Sequence, residues 1–238
     1  WVVHRGILPK PINADAVLGV IPLGTGGDFR RSLGLMGGWK ESIRALATEN
    51  TRCIDIGQVG FINHQGNLAS RFFVNIASGG FSGDVDQRIN RSNKKLGGTA
   101  GFALATLRTF ATWNNADIDV RLDEMEELTD LRVHTFTAAN GEYFGGGMRI
   151  APGASLTDGH LQFVTLGDFG KLEAISNMAK VYSGTHLNLD KVQKRSAKQI
   201  SVRSRQRERN VLLDVDGEQP GRLPALFHVL PQTLTVKT

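Results

Sequence analysis

Three stretches of this chain carry residue types suited to chemistry. In the first, Gly24, Thr25, Gly26 and Gly27 stand between an apolar run (Val17, Leu18, Val20, Ile21) and Asp28. A loop with so little side-chain bulk lets backbone N–H groups approach a phosphate, and a helix start behind it adds the positive end of a dipole. A carboxylate at that point suits a hydrated metal ion, which binds through oxygen and keeps several waters. In the second, Asp214, Asp216 and Glu218 surround Gly217 at the end of an apolar run. Acids so placed form either a solvated turn or a base beside a metal-facing carboxylate. The third is Ser155-Leu156-Thr157-Asp158-Gly159-His160. Taken alone, its Asp-Gly pair is a turn. Just before it, the run from Ala139 to Pro152 holds consecutive glycines, Gly145 to Gly147, where a ligand or another element can approach the backbone.

These groups need elements to hold them. The run from Val17 to Ile21 reads as a short buried strand stopped by Pro22, with Asp28 opening a helix. Ile43, Leu46 and Ala47 fall at helical spacing, opposite Lys40, Glu41 and Arg44. From Arg52 the period changes to two. Cys53 to Val59 is a half-buried strand, Asn63 to Asn67 a turn and Arg71 to Ala77 the return strand. A domain boundary is placed near residue 51. Residues 1–51 read as the C-terminal part of an α/β unit, and 52–238 as a mostly antiparallel β-sandwich with inserted helices. Helices are predicted at 84–90, at 97–112 (broadly apolar) and at 171–182, the last with Leu172, Ile175, Met178, Ala179 and Tyr182 on one face. Further strands are predicted at 118–122, 131–139, 161–166, 199–203, 211–216, 226–230 and 233–237.

Composition bounds the function classes. The 238 residues suit one large or two small domains. A formal charge of +5 fits an anionic substrate or membrane surface as well as no charged partner. The basic stretch from Lys191 to Arg209 reads as a hairpin with Ile200 and Val202 inward and its charges at the tip. Its readings are, in order, a solvated face, a contact with anionic membrane and a contact with nucleic acid, since no aromatic residue stands among the cations to stack on bases. One cysteine, Cys53, excludes an intrachain disulfide and a Cys-rich zinc site, and points to a reducing compartment. No run approaches the ~18 apolar residues of a membrane-crossing helix. The chain opens on Trp1 and is read as cut from a longer protein.

Six motifs in order make the chain resemble the diacylglycerol kinase and sphingoid long-chain base kinase family of lipid kinases, nearly end to end. They are Pro22 to Phe29, Ile54-Asp55-Ile56-Gly57, Phe73-Val74-Asn75-Ile76, Asn140 to Pro152, Asp158-Gly159 and Asp216-Gly217-Glu218. Val181 to His186 and Phe227 to Pro231 look most like the long-chain base branch. The resemblance implies a partial Rossmann-like α/β nucleotide-binding domain followed by an antiparallel β-sandwich domain, with the active site between them. It implies transfer of the γ-phosphoryl group of ATP, with Mg2+, to a lipid hydroxyl, in a cytoplasmic protein that touches membranes peripherally and binds no nucleic acid.

Residue by residue, the resemblance puts Gly24, Thr25, Gly26 and Gly27 at ATP. It makes Asp28 and Asp55 the carboxylates that hold catalytic magnesium through water, and Glu218 the acceptor of the lipid hydroxyl proton. Ser155, Asp158 and His160 match a structural magnesium site, with carbonyls from the outer two and the carboxylate from Asp158. Asp84 resembles the acid that binds a sphingoid ammonium, and is equally a helix N-cap. Two departures stand out. The family's Gly-Gly-Asp-Gly-Thr signature is expected upstream of Trp1, and Gly27 replaces a family Asn. A lipid-binding regulatory module and a soluble kinase of the NAD kinase type are the alternatives.

Overall fold

A computed structural model of the chain describes residues 13, 15–23, 27–91, 106, 108–110, 112–124, 126–206 and 210–238. Its strands, in chain order, are β1 (Val17–Leu18), β2 (Thr51–Asn63), β3 (Leu68–Phe73), β4 (Ile76–Gly80), β5 (Ala116–Leu122), β6 (Glu126–Val133), β7 (Thr135–Ala139), β8 (Leu161–Leu166), β9 (Val192–Ala197), β10 (Gln199–Ser204), β11 (Leu213–Val215) and β12 (Gly221–Lys237). The helices are α1 (Asp28–Ser32), α2 (Gly38–Ala47), α3 (Phe81–Arg91) and α4 (Lys171–Ser183). Of the predicted 97–112 helix, residues 106, 108–110 and 112 are helical and the others lie outside the described residues.

The strands form two sheets. One runs β3-β2-β12-β10-β5-β6 and the other β11-β4-β7-β8-β9. Their inner faces are the apolar positions of the period-two pattern. Val59, Phe73, Ile118, Val120, Phe136, Phe163 and Phe227 meet between them in one core. Phe136 lies 6.2 Å from Phe163 and 6.3 Å from Phe227, ring to ring. Gly57 makes room for this packing, since a Cβ there would fall 2.0 Å from the Phe73 ring. The mixed α/β and antiparallel β class follows from these layers. β1 pairs in parallel with the far end of β12, Val17 opposite Thr235, beyond the point where β10 leaves that edge. It thereby ties the segment before residue 51 to the larger sheet.

Three expectations fail for identifiable reasons. The predicted strand 131–139 is two strands in different sheets, because the chain crosses at His134, whose N–H donates to Leu166 and Gly167 carbonyls at 2.8 and 3.0 Å. The basic hairpin is likewise absent, since β9 pairs with β8 and β10 with β5 and β12. Several of its cations are spent in ion pairs: Arg203 with Asp119 at 3.1 Å, Arg205 with Asp130, and Lys191 with Glu173 of α4 at 2.7 Å. The strands at 226–230 and 233–237 are one strand, β12, whose register slips between Leu230 and Leu234. Among the described residues no helix is long and apolar enough to cross a membrane.

Candidate active site

α1 starts at Asp28, immediately after Gly27, and is only five residues long. Asp28 is committed on both sides. Its Oδ1 accepts from Arg31 at 2.8 Å and its Oδ2 accepts from the Gly146 N–H at 2.8 Å. The second bond draws the glycine run onto the loop before α1. Gly145, Gly146 and Gly147 have φ of 57°, 86° and 108°, left-handed conformations in succession that only glycine adopts without strain. Arg31 lies between the two loops. A Cβ on Gly27 would sit 3.4 Å from its Nη1, and one on Gly147 would sit 3.7 Å from its Cζ. Two bare backbone segments facing one guanidinium make a cradle that suits a phosphate, because Arg is a fork of N–H donors. Gly24, Thr25 and Gly26 lie outside the described residues.

Behind the cradle, two side-chain amides and a hydroxyl hold the loops in place. The Asn75 Nδ2 group donates to the Tyr143 carbonyl at 2.7 Å, and its Oδ1 accepts from Ser32 Oγ at 2.9 Å. Asn140 Nδ2 donates to the carbonyls of Asp55 and Val74 at 2.8 and 2.9 Å. Gly141 must be glycine, since a Cβ there would lie 2.2 Å from Asn75 Oδ1 and 2.5 Å from Ser32 Oγ. Glu142 grips Arg149 through two bonds of 3.1 and 3.0 Å, closing the loop that carries the glycines.

Asp55 is a different kind of carboxylate from the one expected of it. It is 0 % exposed, and its oxygens accept from the N–H groups of Gly159 (2.7 Å) and Gln232 (2.8 Å). Gln232 has a φ of 47° and sits in the slip of β12, so Asp55 clasps that irregularity to the Asp158 turn. Each Asp55 oxygen is thus engaged by one backbone donor, and the carboxylate holds the fold together here whatever else it binds. Asp55→Ala is expected to cost about 2–4 kcal/mol by removing the acceptor of two half-buried N–H groups, those of Gly159 and Gln232. Urea unfolding measures it, and a loss under about 1 kcal/mol, the size of an ordinary exposed substitution, would refute the clasp.

The Ser155–His160 loop is a turn in which the Asp158 Oδ1 accepts from the His160 N–H at 3.0 Å, while the His160 Nδ1 contacts the Asp158 carbonyl at 2.8 Å. The Leu156 carbonyl is taken by the Asp55 N–H at 2.7 Å. Asp158 is exposed, with its Oδ2 left over from these bonds. Among the described residues no three His, Cys, Asp or Glu side chains gather for a metal. The loop thus fits magnesium as a site of one carboxylate plus carbonyls and water, a donor set that a strongly hydrated hard cation accepts.

Glu218 closes the hairpin between β11 and β12. Val215 and Glu218 exchange two backbone bonds of 2.8 and 3.1 Å, and the corners, Asp216 and Gly217, both have positive φ, 49° and 84°. That is a type I′ turn, which matches the strand twist. The Glu218 side chain is 65 % exposed and pairs with Arg71 at 2.5 Å. The two acids beside it point the other way. Asp216 accepts from the N–H groups of Val74 (2.8 Å), Asn75 (3.2 Å) and Ile76 (2.9 Å). Burial nevertheless pushes its carboxyl up to about 6. Asp214 accepts from the Gly217 N–H at 2.8 Å and from Ser78 Oγ at 3.1 Å, and it hydrogen-bonds Asp86 of α3. Burial, and then the Asp86 charge beside it, hold the Asp214 carboxyl well above the usual carboxylate range. Burial raises Asp86 too, and its Oδ2 is enclosed without a partner among the described residues.

Asp84 lies in the first turn of α3 and borders a cavity of about 420 Å³ together with Arg88, Thr109, Thr112 and Asn210. The structure thus gathers Asp28, Gly27 and the glycine run, sets Asp55 and Asp158 on one clasped turn, and leaves Asp84 on a separate wall. Asp86 and Ser78 stand in no sequence motif above, and Asn75 has no role assigned by its motif. Asp86 had a signal, the acid two residues after Asp84 on a helix that must bury Val85.

Residues 75–238 match the YegS C-terminal NAD kinase beta sandwich-like domain, and residues 2–59 match the diacylglycerol kinase catalytic domain. Over 236 residues the chain is 28 % identical to a diacylglycerol kinase of Staphylococcus saprophyticus, covering 99 % of this chain and 72 % of that one. It is 27 % identical to a diacylglycerol kinase of Mycobacterium tuberculosis over 226 residues, covering 94 % and 70 %. A crystal structure of a diacylglycerol kinase from Bacillus anthracis superposes with a TM-score of 0.62 over 93 % of this chain and 66 % of that one. At 19 % identity, that likeness speaks for the fold alone.

Proposed function

Because the chain belongs to the diacylglycerol kinase family of lipid kinases, we propose that it transfers the γ-phosphoryl group of ATP to the hydroxyl of a diacylglycerol at an aqueous–lipid boundary. The observation that carries this reading is the cradle of Gly27, Gly145 to Gly147 and Arg31, locked by the bond from the Gly146 N–H to Asp28. It presents bare backbone and the guanidinium groups of Arg30 and Arg31 to a phosphate, with Asp28 holding the loops together. Phosphoryl transfer asks for such positioning and charge neutralisation more than for covalent chemistry.

In this reading the lipid oxygen attacks the γ-phosphorus, the bond to the β,γ-bridging oxygen breaks, and ADP departs. The hydroxyl proton passes to Glu218, an exposed carboxylate on a rigid turn. Arg31 stabilises charge on the phosphoryl oxygens. Magnesium, when bound, supplies further neutralisation of phosphate charge. Asp158, with the carbonyls of Ser155 and His160, is the candidate set for a structural ion. Thr25 with Gly24 and Gly26 is assigned to ATP by the family pattern.

Diacylglycerol is favoured over a sphingoid base for two reasons. The relatives above are named for it. Arg88 also shares the cavity that Asp84 borders, so an ammonium entering there meets a cation as well as a carboxylate. The test offers diacylglycerol and sphingosine side by side to the full-length protein with Mg-ATP. Phosphorylation of diacylglycerol at least tenfold faster is expected. Transfer to sphingosine alone would overturn the substrate and give Asp84 the ammonium, and transfer to neither would overturn the kinase reading.

A further inference from the structure

The predicted apolar face of α4 exists, but it faces outward. Leu172, Ile175, Ala179 and Tyr182 recur at helical spacing, which from sequence marks the side that packs on a core. In the structure Leu172 is 84 % exposed, Ile175 54 % and Tyr182 50 %. Only Val181, on the opposite side, is buried, against Ile150, Ala151 and Phe169. The Arg149 N–H donates to the Val181 carbonyl at 3.1 Å and fixes the helix further. Rotating α4 to hide the stripe would break this seat.

We propose that the outward face of α4 is a docking surface for a bilayer that contains anionic phospholipid. The charge on the face selects that occupant. Lys171 and Lys180 are exposed on either side of the stripe. Glu173, the one acid of the helix, is half-buried and paired with Lys191 at 2.7 Å. The outward face therefore offers apolar side chains between two cations, the pattern of a helix that lies in the headgroup plane. Lysine stems lie along such a surface and lift their ammonium groups to the phosphates.

At the first turn Lys171 borders a cavity of about 230 Å³ whose wall is mixed, with Phe110, Trp113 and Phe169 beside Asn115, Arg132 and Asp168. At the other end, the Arg149 to Val181 bond ties α4 to the loop that carries the glycine run. The proposal rests on the lipid kinase reading for its motive, and on the stripe and its lysines for its substance.

The test is flotation of the full-length protein with vesicles of phosphatidylcholine, alone or with one third phosphatidylglycerol. Binding at least tenfold stronger to the anionic vesicles is expected, and it should weaken with added salt. The triple variant Leu172→Ser, Ile175→Ser, Tyr182→Ser should lose at least tenfold in binding while keeping its thermal transition. As a second measurement, the Leu172→Trp variant should shift its emission to the blue on anionic vesicles. Equal binding by the wild type and the triple variant, or an unmoved emission from the Leu172→Trp variant, overturns the proposal. So does a triple variant that changes only the oligomeric state, which would make the stripe a self-interface. Binding is read without turnover. Docking lost in the triple variant therefore supports the surface even if no lipid is phosphorylated, a result that sinks the kinase reading alone.

Discussion

Glu218→Gln lowers phosphoryl transfer to the lipid hydroxyl by about 10²–10⁴-fold, the usual worth of a positioned general base, and leaves ATP binding intact. The amide keeps the size and the hydrogen-bonding reach of the carboxylate but cannot take the proton. The turn beneath it does not depend on the side chain, because Val215 and Glu218 are joined through their backbones. Losing the exposed pair with Arg71 removes at most about 1 kcal/mol of stability, as surface ion pairs do. A fall in turnover with an unchanged melting temperature is therefore a chemical effect. Steady-state kinetics with diacylglycerol and a calorimetric scan make the comparison. Turnover within a few-fold of wild type would remove Glu218 from the role, and unfolding would show that Arg71 and Glu218 brace the hairpin.

The fold class was legible because alternation is a direct consequence of half-buried strands. The paths between sheets were not. His134 and Lys198 each pass the chain from one sheet to the other in a single residue. Across His134 the apolar positions move from Leu131 and Val133 to Phe136 and Ala138, a one-residue slip of phase that does not by itself say the chain has changed sheet. α4 shows the same limit in a helix. Spacing marks an apolar face but does not say whether that face meets a core or something outside the chain.

The motifs located the loops around the candidate site, while partners decided what each acid does. Asp55 sits in a family motif, yet its donors are the backbone N–H groups of Gly159 and Gln232, far along the chain. Backbone donors carry no residue identity, so no spacing rule finds them. Asp86 was passed over in favour of Asp84, because a helix read without its neighbours does not show which of two acids turns toward β11. Gly145 to Gly147 were legible as a place of close approach. That Asp28 is what approaches them rests on a contact across 118 residues.

Two acids of the Glu218 turn, Asp216 at its exposed corner and Asp214 buried beneath it, give a large expected effect on stability, and their substitutions act in opposite directions. Asp216→Ala removes the acceptor of the Val74, Asn75 and Ile76 N–H groups; water can serve Val74 at the surface, so the cost should be about 2–4 kcal/mol, from the two half-buried donors at roughly 1–3 kcal/mol each. The wild-type acid is itself under load. Its carboxyl stands near 6 in the folded chain against 3.8 for the free group, chiefly through burial, with the Asp214 charge adding to it and the three amides opposing. Between those values the folded state holds more proton than the unfolded one. On that account stability is fullest below pH 4 and falls as pH rises to 6, and solvent around this exposed turn residue holds the fall well below the full linkage value.

Asp214 and Asp86 are raised too and bend the curve the same way. Asp214→Asn keeps an acceptor for the Gly217 N–H, offers Asp86 a donor and removes a charge that burial disfavours. It should be more stable than wild type at pH 7, with a shallower decline between pH 4 and 7. Urea unfolding at pH 4, 5.5 and 7 reads all three proteins. An Asp214→Asn variant with the wild-type slope would mean that Asp214 and Asp86 do not share a proton, and an Asp216→Ala variant as stable as wild type would mean that water already serves the Val74–Ile76 amides.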